Sequence, residues 1–243
     1  GLVPDMLAYT PNFYKYKKAE GDLFAKSVNE NTFNSFLKWT KDNLWKHKPV
    51  DNFSKKCFNF YVTKTDKRIN QYLKEKPDTS EIINGELIPP IKDILSQIDR
   101  EWLCDGIPVQ FHGDFILDNV IETQDNFCLI DWRQDFAGDL EVGDIYYDLA
   151  KLNHNLMVNH DIVDKKLYDS SPKNCHILCN STLLRCKDLL HNFIIENGYD
   201  LKKVKVLSSI IWINMAPLHE YPFNKFLFNF GKYNLYKTLN DIS

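Results

Sequence analysis

One ten-residue segment and the apolar run that follows it constrain this chain more than any other feature. Residues 111–120 read FHGDFILDNV, and residues 129–132 read LIDW. Two short apolar runs between these points flank the sequence TQDN, which has the composition of a turn. We therefore predict a small β-hairpin with three polar side chains at its mouth, namely Asp114, Asn119 and Asp131.

These three side chains have the chemistry that phosphoryl transfer requires. Asp114, on a loop just after a strand, could orient the hydroxyl that attacks the phosphorus atom. Asn119 and Asp131 offer hard oxygen ligands suited to Mg²⁺ on nucleotide phosphates. Taken singly, each has a simpler interpretation as a turn or capping residue. Their joint spacing favours the phosphotransferase interpretation.

Two further acids follow the hairpin. Asp144 and Asp148 stand four residues apart in a segment with helical periodicity, so they share one helix face. Two acids at this spacing repel each other if both lack partners. A hydrogen bond from the backbone of the His112 loop to a carboxylate would relieve that repulsion, and solvated helix acids are the alternative.

The bulk composition is that of an ordinary soluble domain. The 243 residues are 44% hydrophobic and 26% charged, with a net charge of −3, so no overall field favours nucleic acid or an anionic membrane. No apolar run reaches transmembrane length, and no signal peptide is evident. We expect a reducing, cytoplasmic location and a protein that binds neither nucleic acid nor membrane.

The six cysteines show no paired framework. Cys175, Cys179 and Cys186 lie near His176 and His191, so a zinc site is one interpretation. The spacings i, i+4 and i+11 also fall on one helical stripe. We predict that these three cysteines form the buried face of one helix.

The predicted fold class is α+β and mostly helical, with a small β-hairpin that carries the site. Gly198 is expected to end one late helix and Asp200 to cap the next. The other predicted segments are a Tyr- and Phe-rich strand at 12–18, helices at 31–47, 68–76 and 91–103, a short strand at 107–111, a helix within 138–155, and helices from 182 to 236.

Three groups of residues together resemble the aminoglycoside phosphotransferase and choline kinase family. They are HGD with Asn119, the IDW at 130–132, and GD followed by YDLA at 143–150. That family has a protein-kinase-like fold, and the resemblance lies mainly in its C-terminal lobe. It implies a small-molecule kinase that uses Mg²⁺ and ATP or another nucleoside triphosphate.

The resemblance also implies roles for individual residues. Asp114 and His112 would be catalytic, Asn119 and Asp131 would bind Mg²⁺, and Asp148, with Asp144, would support the catalytic loop. Residues 15–19 would form the hinge beside adenine. The implied nucleotide-binding residues are Tyr16, Lys17, Lys18, Ile121 and Ile130.

The acceptor is less constrained by the sequence. The run from Asp131 to Arg133, with YDLAKL at 147–152, is similar to members found beside capsule and sugar-nucleotide enzymes, which suggests a sugar-like acceptor; an amino alcohol is also considered. Arg133 is a candidate contact for an anionic substrate group, with a surface salt bridge as an equal alternative. His219 is a candidate for lining the acceptor cleft.

The first residues of the chain depart from the family's pattern. Residues before Asn12 contain neither a phosphate-covering loop nor the lysine that pairs with the phosphates. We therefore divide the chain into an N-lobe and hinge remnant at 1–22 and a helical phosphotransferase C-lobe at 23–243, whose further partner would be a missing N-terminal lobe.

Other classes of function remain open at this stage. A non-catalytic binding module that retains the kinase-like lobe is the main alternative, and the missing N-lobe favours it. A metal-dependent phosphohydrolase with His112 and Asp114 as ligands would need further ligands, and no convincing set is present.

Overall fold

The computed structural model describes residues 2–74, 77–169, 171 and 173–242. Helices dominate it, and the strands are short, as the sequence predicted. The last two residues of the helix expected at 68–76 lie outside the described residues. The strands are β1 (Met6–Tyr9), β2 (Tyr14–Tyr16), β3 (Asp22–Leu23), β4 (Glu81–Ile83), β5 (Glu86–Ile88), β6 (Pro108–Val109), β7 (Val120–Glu122), β8 (Phe127–Leu129) and β9 (Gly143–Asp144).

The helices surround these strands and supply most of the buried core. A π-helix (Asn59–Thr63) joins α3 to α4, and 3₁₀ turns occupy Leu117–Asn119 and Ala216–Leu218. The α-helices are α1 (Phe24–Ser27), α2 (Glu30–Asn43), α3 (Phe53–Phe58), α4 (Lys64–Leu73), α5 (Ile91–Leu95), α6 (Arg100–Cys104), α7 (Ile145–Met157), α8 (His160–Asp164), α9 (Ser181–Glu196), α10 (Leu201–Met215) and α11 (Phe223–Leu239).

The predicted hairpin is present as β7 and β8, with Val120 opposite Leu129. Strand β3 pairs antiparallel with β7 and completes a three-stranded sheet. Gly21, at φ +146°, enters this sheet so closely that a Cβ atom there would collide with the carbonyl oxygen of Glu122. The proposed domain boundary after residue 22 therefore falls inside β3. The division into 1–22 and 23–243 stays a prediction.

The other strands form antiparallel pairs, β1 with β2, β4 with β5, and β6 with β9. The β6–β9 pair matters most for the site, because β6 leads into the His112 loop and β9 leads into helix α7. Among the described residues, no helix is both long enough and apolar enough to cross a membrane.

Three predicted segments differ from the structure. The helix expected to reach residue 47 ends at Asn43 because residues 46–48 pair with the chain before the His112 loop, through Gln110 N to Lys46 O at 2.9 Å and Lys48 N to Pro108 O at 3.0 Å. The helix expected at 91–103 is divided into α5 and α6, since the Asp99 side chain accepts the amide hydrogens that begin α6.

The third difference concerns the cysteines. Cys175 and Cys179 precede α9, and only Cys186 lies within it, so the predicted single helical stripe is wrong. The turn chemistry of Asn180, which caps α9, starts the helix after both residues. Cys175 is instead fixed by Asn84, whose Oδ1 accepts the Cys175 amide hydrogen at 2.9 Å.

Aromatic packing fixes the segment that carries the site. Phe115 is 1% exposed and stacks on Phe36 of α2 at 5.3 Å between ring centroids, with Trp45 against its edge at 5.6 Å. Aromatic contacts of this kind stabilise beyond their area of burial and also define orientation. The residue next to Asp114 is thus held rigidly in the core.

Candidate active site

The loop that carries Asp114 is tied to helix α7 by one buried carboxylate. Asp148 accepts the backbone N–H of His112 at 2.8 Å and that of Gly113 at 2.7 Å. Its Oδ2 also accepts the indole N–H of Trp45 at 3.1 Å. Burial raises the pKa of Asp148 to about 6, and the three donors oppose part of that rise. This is the kind of contact expected from a residue that supports the loop.

His112 links the loop to the strand on its other side. Its Nδ1 faces the Asp114 amide hydrogen at 3.2 Å and is therefore the acceptor, so Nε2 carries the proton and donates to the carbonyl oxygen of Ile130 at 2.8 Å. The ring is fully buried, and burial lowers its pKa to about 4. Both ring nitrogens are engaged and solvent does not reach them, which suits a residue that positions the loop. The catalytic role of His112 stays a prediction.

Asp114 has one partner on each carboxylate oxygen. Lys151 of α7 places its Nζ 2.7 Å from Oδ1, and the amide nitrogen of Asn119 donates to Oδ2 at 3.2 Å. The same amide donates to the Asp114 carbonyl oxygen at 2.9 Å. The Asp114 side chain keeps 42% of its surface exposed. It is thus oriented by the protein and still open to a reactant.

Asn119 and Asp131 fit the requirements of a divalent cation. The amide of Ile130 donates to the Asn119 backbone carbonyl at 3.0 Å, which brings these two strand ends together. Among the described residues, none donates to Asn119 Oδ1 or to the exposed Asp131 carboxylate. Asp131 also has φ +55°, a sparsely populated conformation that is common at functional sites.

Protein side chains would supply only part of the coordination shell. Within the described part of the chain, no three His, Cys, Asp or Glu residues are grouped to hold a metal. Mg²⁺ commonly uses one or two carboxylates together with substrate phosphates and water. The residues present therefore fit a cation that is bound together with a nucleotide, and their roles as ligands stay a prediction.

Asp144 is placed differently from the prediction. Its carboxylate accepts the backbone N–H of Ile107 at 2.9 Å, that of Tyr146 at 3.2 Å and the Tyr61 hydroxyl at 2.8 Å. Burial raises its pKa to about 6. The prediction that Asp144 supports the His112 loop is corrected, because as the N-cap of α7 it holds the strand before that loop instead.

The residues predicted to bind the nucleotide form two groups. Ile121, on β7, lies beside Gly21, where a Cβ atom would be 3.0 Å from its Cγ2. Ile130 follows β8 and is half-buried. Ile121 therefore lies near the end of the predicted hinge, while Ile130 contacts Asn119 and His112. The contact of either residue with adenine remains a prediction.

The second group lies on the hinge itself. Lys17 and Lys18 line an open groove with Glu20 and Asp125, and this groove includes neither Ile121 nor Ile130. Tyr16, in β2, is 40% exposed. This groove therefore does not form a single nucleotide-binding surface that includes both groups of residues.

Near Asp114 the structure brings together four cations, of which the sequence had indicated only Arg133. Lys64 and Arg68 of α4 line a cavity with Arg133 and Lys151. Lys64 and Arg68 stand four residues apart, so one helix face carries both. That spacing was visible in the sequence, but nothing local connects it with residues 133 and 151.

His219 is not one of the described residues that line this cavity. Its exposed ring packs on Phe223 at 5.0 Å between centroids, while the preceding Met215 and Leu218 line the cavity. The acceptor role suggested for His219 is corrected for that reason. Arg133, in contrast, does lie at the cavity and forms no salt bridge with a described residue.

Comparison with known proteins agrees with the motifs. The sequence model of APH, the phosphotransferase enzyme family, matches residues 60–163. This confirms the resemblance drawn from the motifs and supports a kinase-like phosphotransferase function. A search of curated proteins gives no match.

A comparison with solved structures also gives matches. The crystal structure of choline kinase from Cryptosporidium parvum Iowa II is 13% identical to this chain, with a TM-score of 0.49. The alignment covers 99% of this chain and 74% of that one.

Proposed function

We propose that this protein is a small-molecule kinase that transfers the γ-phosphoryl group of ATP, or of another nucleoside triphosphate, to a hydroxyl group. The observation that carries the proposal is the Asp114 carboxylate, oriented on both oxygens by Lys151 and Asn119 and still partly exposed. The APH match over residues 60–163 includes all three residues.

Asp114 would orient the acceptor hydroxyl for attack on the γ-phosphorus. As the new O–P bond forms, the bond from phosphorus to the β,γ-bridging oxygen breaks, and the hydroxyl proton passes to the Asp114 carboxylate. Such reactions depend mainly on positioning and charge stabilisation. The network of Asp148 and His112 would supply the positioning by fixing the backbone of the loop.

Asn119 Oδ1 and the Asp131 carboxylate would hold Mg²⁺, which supplies charge neutralisation on the nucleotide phosphates when bound. Lys151 would hold the Asp114 carboxylate in place before the acceptor arrives. The acceptor would be a sugar-like compound or an amino alcohol, and the hinge at 15–19 would contact the base.

The test is Mg²⁺-dependent ADP formation by the longest natural chain with a panel of sugars and amino alcohols. Asp114→Asn is expected to lower turnover by about 10²- to 10⁴-fold, the range of general-base contributions. Asp131→Asn is expected to raise the Mg²⁺ concentration needed for half-maximal turnover. Full activity in the double variant would refute the assignment and leave a non-catalytic binding module as the better description.

A further inference from the structure

A small cavity beside the Asp114 loop is lined by positive charge and, in the part of the chain that the structure describes, by no acid. It measures about 210 Å³ and lies between the π-helix, α4, α7 and α10. Apolar and aromatic side chains form most of its wall. Its four cations are Lys64, Arg68, Arg133 and Lys151, and none of the described lining residues is Asp or Glu.

The cavity is joined directly to the residue proposed as the base. Lys151 lines the cavity and contacts Asp114 Oδ1 at 2.7 Å. Arg133 lines it as well, and its backbone N–H donates to the carbonyl of His112 at 3.0 Å. A molecule in this cavity would therefore lie next to the Asp114 carboxylate.

Lys151 is paired with Asp114, but the other three cations of the cavity have no paired carboxylate within the described part of the chain. Burial lowers the pKa of Lys64 to about 8, with further lowering by the charges of Arg133, Arg68 and Lys151 and a small opposing effect of Asp135. Among the described residues, no carboxylate lies within salt-bridge distance of Lys64, Arg68 or Arg133.

Aromatic contacts replace ion pairs at two of these cations. The Phe60 ring centroid lies 4.2 Å from Lys64 Nζ and 4.9 Å from the Arg133 guanidinium carbon. Such contacts hold a cation in place without neutralising its charge. Half-buried cations without a paired carboxylate disfavour the folded state unless an anion joins them, so the arrangement suits an anionic ligand.

One further lining residue has an unused polar atom. Asn214 donates from Nδ2 to Thr65 Oγ1 at 2.9 Å, while its buried Oδ1 has no hydrogen-bond partner in the described structure. A buried acceptor without a partner is uncommon in folded proteins. A hydroxyl or protonated oxygen of a bound compound would satisfy it.

We propose that Lys64, Arg68 and Arg133 bind an acidic group of the phosphoryl acceptor, so that the acceptor is a hydroxyl compound bearing a phosphate or a carboxylate. The inference rests on the proposed kinase function and narrows its acceptor. An amino alcohol is disfavoured, because its ammonium group would be repelled by the three cations that have no paired carboxylate. The cavity is smaller than ligand pockets of about 300–1,000 Å³, which suits a small acceptor.

The first experiment measures anion binding without turnover. Inorganic phosphate is titrated into the full chain at constant ionic strength, and the melting temperature and calorimetric heat are followed. Arg68→Gln and Lys64→Gln are each expected to weaken binding by about 10-fold or more, as expected for loss of a charge-assisted hydrogen bond. The matched control is Lys67→Gln, an exposed cation on the same helix that does not line the cavity, and it should bind like the parent.

The second experiment measures the choice of acceptor. A neutral sugar, its phosphate ester, the corresponding sugar acid and an amino alcohol are compared by kcat/KM. The inference expects the two acidic compounds to exceed the others by about 10-fold or more. Arg68→Gln should raise the KM for the acidic acceptor while changing kcat little. Preference for the sugar phosphate over the sugar acid identifies phosphate as the group, and the reverse preference identifies carboxylate.

Failure of this inference is distinguishable from failure of the proposed function. Equal phosphate binding by the parent, Arg68→Gln and Lys64→Gln, or preference for a neutral or cationic acceptor, would overturn the anionic acceptor while leaving the kinase assignment intact. Full turnover in Asp114→Asn would instead remove the kinase assignment. Phosphate binding that depends on Arg68 in an inactive Asp114→Asn variant would support the anion site separately from catalysis.

Discussion

The Nζ of Lys151 lies 2.7 Å from Oδ1 of Asp114, and this ion pair joins the loop of the candidate base to helix α7. Lys151 is one turn from Asp148 on that helix, and Asp148 holds the backbone of the same loop. Helix α7 therefore fixes both the backbone and the side chain of the residue proposed to orient the acceptor.

Replacing Lys151 is expected to impair catalysis more than folding. Lys151→Met removes the partner of Asp114 Oδ1, and misplacement of a reacting group by about 1 Å can lower turnover by about 10²-fold. Steady-state kinetics and urea unfolding measure the two effects. The control is Lys165→Met, which removes an exposed ion pair with Asp161. Unchanged kcat in Lys151→Met would contradict the positioning role, and partial rescue by Lys151→Arg would support it.

Asp148 accepts three buried hydrogen bonds, so its replacement by the nearly isosteric Asn is expected to lower both stability and turnover. In Asp148→Asn one oxygen is replaced by an NH₂ group, which then faces the N–H of His112 or of Gly113. An unsatisfied buried donor costs about 1–3 kcal/mol, so the free energy of unfolding should fall by that amount and turnover should fall with it.

Hydrogen exchange at the two amides localises this effect. The amide that faces the new NH₂ group should exchange faster in Asp148→Asn, because its acceptor oxygen is lost. Asp161→Asn, at an exposed position of α8, serves as the control and should change neither quantity. Retained protection of the His112 and Gly113 amides would show that the loop does not depend on this carboxylate.

Both the backbone conformation at position 113 and the side chains around it require a glycine there. Its φ is +81°, and a Cβ atom there would lie 2.5 Å from the Cβ of Arg133. We expect Gly113→Ala to lower the free energy of unfolding by more than the roughly 1–2 kcal/mol attributed to a left-handed L-residue alone, and to reduce turnover.

Gly138→Ala separates these two causes. Gly138 has φ +87°, and no atom of a described residue lies within 4 Å of its added Cβ, so this substitution tests backbone strain without a clash. Equal losses of stability in the two variants, measured by urea unfolding, would show that contact with Arg133 is unimportant.

The lowered pKa of the buried His112 ring is expected to make the free energy of unfolding depend on pH. Its pKa is lowered to about 4 in the folded protein, against about 6.5 in an unfolded chain. The folded state therefore binds fewer protons between these values, so the stability from His112 is complete above pH 6.5 and is lost as pH falls toward 4. The loss between pH 7 and pH 5 is on the order of 2 kcal/mol.

Other groups titrate in this window, so the measurement must be a difference. The pKa of His191 is also lowered to about 4, while those of Asp144 and Asp148 are raised to about 6 and act in the opposite direction. The stability advantage of the parent over His112→Gln should shrink by about 2 kcal/mol from pH 7 to pH 5. A constant difference would mean that the ring is not held neutral by burial.

The sequence determined the parts of the site whose geometry is local. The turn between β7 and β8, the position of Asp131 just after β8, and the cap of Asp200 on α10 all follow from residues within a few positions of one another. The same holds for the family resemblance, because the segments that carry it lie within residues 112–150. Local hydrogen bonds and side-chain periodicity decide such features.

Other features depended on contacts between distant segments. The engagement of both His112 nitrogens could not be seen in the sequence, because Ile130 lies 18 residues away, just after β8. The helix expected at 91–103 was divided by a side-chain cap that outweighed its apolar periodicity. Asp144 and Asp148 look equivalent in the sequence, yet only the packing of β6 and the His112 loop decides which carboxylate each segment contacts.

By itself, then, the sequence determined a mostly helical α+β chain with a polar hairpin of phosphotransferase type, because those motifs are contiguous and their chemistry is local. Only the tertiary structure decided the charge of the neighbouring cavity. Its cations come from positions 64, 68, 133 and 151, on α4, a loop and α7. These groups become neighbours only when the helices pack, and burial then makes their mutual repulsion strong enough to influence which molecule binds.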